Sequence, residues 1–522
     1  MQLRPVIASV SLLAGALVAL SGNTAQAAST RYEAESSPAV CTGTLDSDWA
    51  GYSGSGFCNG TNAVGAYAQF TVNAASAGTA TLNVRFANGT TSARPADIIV
   101  NGSTATSASF EGTGAWSTWT TKTLTVPVAA GSNTIRLNPT GSAGLPNVDY
   151  LDAEVSGAAA GTVLYVSASG TDSAAGTESA PTTLTSAISR ITPGGTIYLR
   201  GGTYSYSSTV TVPAGTDGTS SARTTLSAYP GETPVLNFSA QSESSSNRGL
   251  QLNASYWHVY GIVVEHAGDN GIYVGGSNNV IERTVTRYNR DTGLQLGRIS
   301  SSTPSSQWPS NNLIVSAESH DNADSDGEDA DGFAAKLTTG TGNVFRYDVS
   351  HNNIDDGWDL YTKTDTGAIG PVTIEYSLSY NNGTLSDGTV NSNGDRNGYK
   401  LGGDDIAVNH VVQHSIAYGN GHHGFTYNSN PGTMTISNNA SIDNAERNFS
   451  FDAGTSVFRT NTSCRFSVSG SNDKTIGDAD SSNQFWTGSN GSRCSSYSGT
   501  LGWSYASDGH LAVTFGGTVV TP

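Results

Sequence analysis

The chain has 522 residues, enough for two or three domains and a large buried core. Its formal net charge of −18 argues against nucleic acid as a partner, and it would repel an acidic ligand that no metal or basic patch attracts. Only 13% of the residues are charged whereas 62 are glycine, a composition that favours turn-rich β architecture over helix bundles.

The first segment, residues 1–27, is predicted to be a secretory signal peptide. Arg4 gives it a positive start, the apolar run Val6–Leu20 follows, and Ala25–Ala27 fits a cleavage site. The apolar run is short for a membrane anchor, and no second run follows. We therefore expect a secreted, extracellular protein that does not bind a membrane.

The cysteine content fits an exported protein. The chain has four cysteines, which lie in two pairs that are close in sequence. Two local disulfides, Cys41–Cys58 and Cys464–Cys494, are the simplest of the three possible pairings. No cysteine spacing resembles a zinc site or a redox pair.

Residues 28–156 are predicted to form one all-β module. Alternating apolar and polar residues at Thr79–Phe86, Asp97–Val100 and Thr121–Val126 are separated by Gly, Asn and Ser turns. The small, featureless residues 157–161 are interpreted as a linker. Residues 162–522 then form a second domain that ends in a C-terminal tail.

Seven short segments of the second domain share one register. Each is an apolar–polar–apolar triplet that follows one of these residues: Gly271, Gly293, Gly332, Gly357, Gly398, Gly424 and Asn448. Such a triplet predicts a strand with two side chains inside and one outside. Its recurrence at intervals of about two to four dozen residues is typical of a solenoid of parallel coils.

Other segments are predicted to complete the solenoid. Thr162–Ser167 and Gly195–Leu199 read as its first strands, and Thr183–Arg190 as a short helix that covers its open end. The tail from Thr455 onward is expected to pack along the solenoid. Asparagines recur at the turn before the triplets, and we favour a ladder of stacked amides over sugar contacts for Asn289, Asn322, Asn353, Asn382, Asn420 and Asn444.

The shared register is predicted to bring acidic side chains together. Because neighbouring coils lie roughly 4.8 Å apart, Asp331 and Asp356 would lie side by side, with Asp355 next to them on the turn. Asp359 and Lys400 would share one outward column. Four carboxylates this close need a cation, and an all-oxygen ligand set favours Ca²⁺ over Mg²⁺. The alternative is a solvated acidic turn without an ion.

Lys400 is the candidate catalytic base. A nearby divalent cation disfavours its ammonium form whereas Asp359 favours it, and we expect the cation to dominate. The neutral amine would remove the C5 proton of a uronate while Ca²⁺ stabilises the developing charge, and the C4–O bond would break by β-elimination. A surface salt bridge between Lys400 and Asp359 is the alternative, which the glycines around the lysine argue against.

The stretches Ala330–Ala334, Asp355–Leu360 and Gly398–Gly403 together resemble the family 9 polysaccharide lyases. These are pectate lyases with a right-handed parallel β-helix, and the resemblance covers about residues 161–460. It implies an all-β fold in which four aspartates bind catalytic Ca²⁺ and one lysine is the base: Asp331, Asp355, Asp356, Asp359 and Lys400.

The N-terminal module resembles carbohydrate-binding modules of family 35, which are β-sandwiches of the jelly-roll type. The match rests on Tyr32–Glu35 near its start and Asn147–Leu151 near its end. It implies a uronate ligand, with Asn147 as a sugar contact. It also implies a structural Ca²⁺ held by Glu33 and Glu35 together with a later aspartate, either Asp149 or Asp152.

The expected partner is a pectic polysaccharide, either polygalacturonate or rhamnogalacturonan, and the expected state is a monomer. A rhamnogalacturonan lyase with the same mechanism is the first alternative. A pectin glycoside hydrolase is the second, although the motifs and the separated carboxylates that it needs are missing. A non-catalytic polysaccharide-binding protein is the third. Arg396, beside Lys400, is predicted to contact a substrate carboxylate through its forked guanidinium, and Lys336 and Lys363 are further candidates.

Overall fold

The computed structural model describes residues 29–74, 78–129, 131–157 and 162–520, so the predicted signal peptide lies outside the described residues. The chain divides into two compact units between Gly157 and Ala158. In the described part of the chain, no helix is long and apolar enough to cross a membrane.

The first unit is a sandwich of two antiparallel sheets. One sheet contains Thr30–Glu33, Gly43–Asp46, Phe57–Gly60, Gly78–Ala87, Thr120–Val128 and Asn147–Gly157. The other contains Val40–Cys41, Ala68–Ala74, Arg94–Val100, Ser103–Phe110 and Gly131–Pro139. Alternate side chains of these strands form one buried core, because successive residues of a strand point to opposite faces. The predicted β-sandwich is confirmed.

The ends of this unit are fixed by local contacts. The predicted disulfide between Cys41 and Cys58 is confirmed, and it joins the two sheets. The last strand continues through Gly157, one residue into the segment interpreted as a linker, because its backbone stays paired with Gly78.

The second unit is a parallel β-helix whose coils contribute strands to three sheets. The first sheet contains Val163–Val166, Thr196–Leu199, Thr224–Ala228, Trp257–Tyr260, Val280–Glu282, Leu313–Val315, Asn343–Arg346, Val372–Glu375, Val411–Gln413, Thr435–Ser437, Val457–Arg459 and Asp478–Ala479. The second sheet contains Gly202–Ser205, Pro234–Asn237, Val263–Glu265, Val285–Arg287, Glu318–His320, Val349–His351, Leu378–Tyr380, Ile416–Tyr418, Ala440–Ile442 and Thr462–Cys464. The third sheet contains Val210–Val212, Leu250–Leu252, Ile272–Val274, Leu294–Leu296, Phe333–Ala335, Trp358–Asp359, Tyr399–Lys400, Phe425–Thr426, Phe449–Phe451 and Lys474–Thr475. The predicted right-handed parallel β-helix is confirmed.

The third sheet contains the triplets in the predicted register. The first residue of each triplet lies opposite the first residue of the next, through the series Ile272, Leu294, Phe333, Trp358, Tyr399, Phe425 and Phe449. Consecutive aromatic rings of this series stack inside the helix, with centroids 4.9 Å apart for Trp358 and Tyr399 and 4.6 Å apart for Tyr399 and Phe425. Like residues therefore stack along the core, and the register is fixed by burial.

The predicted asparagine ladder is confirmed. Asn420 Nδ2 donates to Asn444 Oδ1 at 2.9 Å, and its own Oδ1 accepts from Asn382 Nδ2 at 3.0 Å. Each amide oxygen also accepts a backbone N–H of the neighbouring coil, as Asn420 Oδ1 does from Asn382 at 3.1 Å. The ladder ends at Asn448, which accepts from Asn444 at 2.9 Å. Buried turn groups thus find partners inside the protein.

The ladder explains the glycine before each triplet. A Cβ atom on Gly357 would collide with Ser379 Oγ and would lie 2.8 Å from Asn382 Nδ2. A Cβ atom on Gly398 would lie at the same distance, 2.8 Å, from Asn420 Nδ2. A side chain at this position would displace the ladder of the next coil, so the position is restricted to glycine until the ladder ends.

The N-terminal cap is confirmed and the C-terminal tail begins later than predicted. The helix Leu184–Arg190 starts after Thr183, whose hydroxyl accepts from Ser186 N–H at 3.2 Å. Coils continue beyond Thr455 as far as the strand Asp478–Ala479. They were missed because the glycine triplet stops once the ladder ends.

The tail covers part of the second sheet. Its strands Leu501–Tyr505, Leu511–Phe515 and Thr518–Val520 form an antiparallel sheet that packs on apolar side chains of the second sheet. The predicted disulfide Cys464–Cys494 is confirmed and ties the tail to the last coils. Two short 3-10 helices, Ser305–Gln307 and Ser492–Tyr497, lie in connecting segments.

We expect Asn420→Ala to lower the free energy of unfolding of the second unit by roughly 2–3 kcal/mol, because the backbone and amide groups of two neighbouring coils lose a buried partner. Thermal and urea unfolding measure the change. Asn472→Ala, at an exposed position, is the matched control and should stay within about 0.5 kcal/mol of the parent. Equal stability of the two variants would contradict the structural importance of the ladder.

Candidate functional site

Three buried carboxylates meet where the turn enters the third sheet. One oxygen from each of Asp331, Asp355 and Asp356 lies within 4.8 Å of the other two. The coils stack directly here, since Asp356 N–H donates to Asp331 Oδ1 at 3.3 Å. The structure thus brings together three of the four predicted metal ligands.

Hydrogen bonds from the next coil fix two of these carboxylates. Asp355 Oδ1 accepts the backbone N–H groups of Asp395 at 2.5 Å and Arg396 at 3.1 Å. Asp356 Oδ1 accepts Asn397 N–H at 2.6 Å. Asp356 Oδ2 is buried and lies 3.2 Å from Lys400 Nζ. Three converging carboxylates form an all-oxygen ligand set that fits a hard cation such as Ca²⁺.

Asp359, the fourth predicted ligand, faces two lysines. Its Oδ1 accepts Tyr361 N–H at 2.9 Å. Its Oδ2 lies 3.4 Å from Lys336 Nζ and 3.9 Å from Lys400 Nζ. Asp359 therefore shares both ammonium groups with the carboxylate cluster.

Lys400, the predicted base, is almost buried beside the cluster, with 9% of its side chain exposed. Its Nζ lies 2.8 Å from Asp395 Oδ2 and 3.2 Å from Asp356 Oδ2. Burial lowers the pKa of Lys400, but the carboxylates of Asp359 and Asp356 outweigh it, and the pKa is raised far above its usual value. Without a metal ion, Lys400 is an ammonium.

Asp395 was not predicted from the sequence, and Lys336 was predicted only as a candidate substrate contact. Asp395 lies in a loop outside the repeat, so no register pointed to it. Lys336 Nζ lies 2.8 Å from Asp331 Oδ2, with 8% of its side chain exposed, and so forms part of the charged cluster. Its position, five residues after Asp331 and just beyond the triplet, was the only available signal.

The cluster resists full ionisation. Burial raises the pKa of Asp331 and Asp355 well above the usual value. Burial also raises the pKa of Asp356 to about 6, although Lys400 opposes the shift. Carboxylates packed this closely gain from a cation among them.

A cleft of about 500 Å³ opens beside Lys400. Three lysines line it, because Lys336 and Lys363 lie there with Lys400, and Tyr361 lines it as well. One wall joins two loops, since the side-chain amide of Asn393 donates to the backbone oxygen of Asp326 at 2.9 Å. The lining also contains the carboxylates of Glu328, Asp329, Asp359 and Asp395, so acidic groups outnumber the lysines and a ligand that carries carboxylates would need a cation at the neighbouring cluster.

Two features near Lys400 have packing explanations. The Tyr361 ring occupies the space that a side chain on Gly403 would fill, so this glycine makes room for the protein itself. The stem of Arg396 packs against Gly383, and its Nε donates to Gly394 O at 3.2 Å. The role of Arg396 as a substrate contact stays a prediction.

A second group with ligand atoms close together lies further along the third sheet. His422 Nε2 is 2.9 Å from Glu446 Oε2, and the His423 ring stacks on His422 with centroids 3.9 Å apart. Arg447 also pairs with Glu446. Since Glu446 is already neutralised by neighbours, this group does not need a cation as the aspartate cluster does.

The residues predicted to hold an ion in the first unit lie around one loop, and the ion site itself stays a prediction. Glu33 Oε2 accepts Ser53 Oγ at 2.9 Å, and Asp149 Oδ1 accepts Ser53 N–H at 3.0 Å. Glu35 Oε2 is buried without a hydrogen-bond partner in the described ranges. Asp152 pairs with Arg31 at 2.8 Å, and Asp149 pairs with Arg85 at 2.7 Å. Of the two aspartates left open by the sequence, Asp149 is the one beside the glutamates.

Family comparisons match both units. Residues 164–462 match the family described as Pel9A-like, right handed beta helix region. Residues 34–154 match the carbohydrate binding module of family 6. The predicted carbohydrate-binding module is confirmed, and the matching family is numbered 6 where the sequence resembled family 35.

Individual proteins show the same likeness. A protein named Pectate lyase L from Paenibacillus polymyxa (strain SC2) is 58% identical over 305 residues, which cover 58% of this chain and 67% of the relative. Pectate lyase L from Thermoclostridium stercorarium is 46% identical over 290 residues, or 55% of this chain and 23% of the relative. The crystal structure of pectate lyase Pel9A has a TM-score of 0.56 and 29% identity, over 69% of this chain and 88% of that chain.

The raised pKa of Asp356 predicts a pH-dependent effect of Asp356→Asn in chelator. The carboxyl has a pKa of about 6 in the folded protein against an ordinary 3.8, so its contribution to stability is present below about pH 4 and is lost as pH rises through about 6. As the pH rises from about 4.5 to about 7.5, the stability of the variant relative to that of the parent should therefore increase. Calorimetry measures the difference. The exposed Asp365→Asn is the control, and a pH-independent difference for Asp356→Asn would contradict the shift.

Proposed function

Since the chain belongs to the Pel9A-like right-handed β-helix family and is a polysaccharide lyase, we propose that it is a secreted pectate lyase that cleaves polygalacturonate by calcium-dependent β-elimination. The observation that carries the proposal is the position of Lys400, which lies 3.2 Å from a buried aspartate of the cluster and lines the cleft. A hydrolase would need two carboxylates with a water between them, whereas elimination needs one base and a stabilised carbanion.

The aspartate cluster supports a calcium site. Asp331, Asp355 and Asp356 offer converging oxygens, and Asp359 lies close to the same cluster. Ca²⁺ bound there would hold the carboxylate of a uronate and stabilise the negative charge that develops on it. The protein's part is to hold these carboxylates in place through the backbone N–H groups of the next coil.

Lys400 would act as the base in its neutral form. The attraction of Asp356 and Asp359 holds its proton in the ion-free protein. Once those carboxylates are neutralised, Asp395 at 2.8 Å still favours the ammonium form, whereas burial and a nearby divalent cation favour the neutral amine. Lys400 Nζ would then accept the C5 proton, and the electrons of the C–H bond would form the C4–C5 double bond. The bond from C4 to its glycosidic oxygen would break, and its electron pair would leave with that oxygen, which takes up a proton from solvent.

Other residues of the cleft would hold the polymer. Lys363 is exposed at the rim and is free to pair with a uronate carboxylate that is not being cleaved. Asp395 accepts the Lys400 ammonium at 2.8 Å while its backbone N–H binds Asp355, so it links the base to the cluster. Arg396 remains our proposed carboxylate contact at the turn.

The first unit would recruit the same class of polymer. Asn147, which is buried to 4% exposure, is proposed to help form its sugar site, and Glu33, Glu35 and Asp149 to hold a structural Ca²⁺. Two disulfides support export, since such bonds persist in oxidising surroundings. We expect the enzyme to act as a monomer outside the cell.

We expect Lys400→Ala to reduce turnover of polygalacturonate by about a thousandfold or more, because the variant lacks the proposed base for the C5 proton. Ultraviolet absorbance of the unsaturated product and reducing ends should fall together, while the unfolding temperature of the variant is recorded. Lys474→Ala removes an exposed lysine paired with Asp452 and serves as the control. Activity like that of the parent in Lys400→Ala would end the assignment of the base. Reducing ends without ultraviolet absorbance in the parent would instead identify a hydrolase.

We expect exhaustive chelation to abolish activity and added Ca²⁺ to restore it. Calorimetric titration should show that Asp356→Asn weakens Ca²⁺ binding by about tenfold or more, because one charged ligand of the ion is lost. Asp365→Asn, exposed and outside the cluster, should bind as the parent does. Full activity of the chelated enzyme would rule out the metal.

A further inference from the structure

A second concave surface lies on the first sheet, whereas the cluster described above lies on the third. Tyr198, Ser227 and Tyr260 occupy one outward column on three successive coils. Coils are roughly 4.8 Å apart, so the two tyrosines stand about 10 Å apart with only a serine between them. We call this gap the tyrosine slot.

Small residues keep the tyrosine slot open. Ala228 and Gly261 follow Ser227 and Tyr260 in the chain, and they add little bulk to its floor. Tyr229 and the turn Pro230–Glu232 line it further, and the cavity measures about 510 Å³. A space of this size is large enough to hold a sugar ring and its substituents.

The rings are placed for a ligand. Tyr198 and Tyr260 are partly exposed. The Tyr198 ring packs against Tyr165 and Tyr229, with centroids 5.7 and 5.9 Å away, and the Tyr260 ring packs against His258 at 5.8 Å. Tyr229 is held differently, since its hydroxyl donates to Glu178 at 2.8 Å and its ring lies under Arg200 at 4.5 Å. Rings beside an open cavity offer flat apolar faces to the C–H groups of a sugar.

A fixed cation completes the tyrosine slot. Arg283 lines the cavity, and one of its terminal nitrogens donates to Ser507 O at 2.6 Å. Its Nε is buried and lies 3.8 Å from Glu282 Oε1, while 28% of the side chain remains exposed. A guanidinium held in place with part of its edge exposed is suited to a carboxylate.

We propose that the tyrosine slot binds a uronic-acid-containing polysaccharide chain at a site separate from the cleavage cleft. One sugar ring inserts between Tyr198 and Tyr260, and its carboxylate approaches Arg283. The choice of an acidic chain rests on the proposed function as well as on Arg283. A chain held here and in the cleft would stay on the enzyme longer, because the second contact is intramolecular.

Hydroxyl-radical footprinting of the full-length Lys400→Ala protein in polygalacturonate tests the site directly. Modification of Tyr198 and Tyr260 should fall several-fold as the polymer is added, whereas Tyr376, exposed on the same unit, should not change. Tyr361 reports the cleft separately. Protection of Tyr361 without the slot tyrosines overturns the second site, and no protection anywhere overturns it too. Protection of the slot tyrosines alone supports it and counts against the cleft.

The nature of the ligand is tested by charge. Arg283→Gln should raise the polymer concentration for half-protection of Tyr260 about tenfold, the loss expected for one hydrogen bond between charged groups. Arg346→Gln, on the same unit and paired with Glu375, is the matched control and should bind as the parent does. Equal protection by a neutral galactan would overturn the assignment to an acidic chain.

Discussion

The direct stacking of one coil on the next is the constraint on which the rest of this structure depends. Burial of an apolar residue at both ends of each triplet fixes the register, because a slip by one residue would turn the apolar side chains outward. The asparagine ladder fixes the same register at the turn, since each amide binds the next one. Every outward side chain therefore has a defined neighbour one strand away.

The charged cluster exists because the coils stack, and the buried carboxylates that it contains destabilise the same stack. Asp331 and Asp356 are neighbours because their coils are, and burial makes their ionisation costly. Lys336 and Lys400 offset part of that cost, each within about a hydrogen-bond length of a carboxylate. The site thus holds more negative charge than its own lysines balance, which is the condition under which a divalent cation binds strongly.

The repeated part of the molecule was readable from the sequence and the unrepeated part was not. The triplets predicted the third sheet and the meeting of Asp331 with Asp356, because one period relates them. Asp395 belongs to a loop whose path depends on contacts with Asp355 and with a distant loop, and no local pattern encodes such contacts. The tyrosine slot was not predicted from the sequence either. Its three residues lie on the first sheet, which has no marker such as the glycine before each triplet.

The turns between strands differ greatly in length while the strands stay in register. The interval from Gly357 to Gly398 is much longer than that from Gly398 to Gly424, and the extra residues include the loop with Asn393 and Asp395 that walls the cleft. A solenoid of this kind can gain or lose residues at such a turn without a change in the register of any coil. The loop that walls the cleft can therefore change in length while the strands of the frame stay as they are.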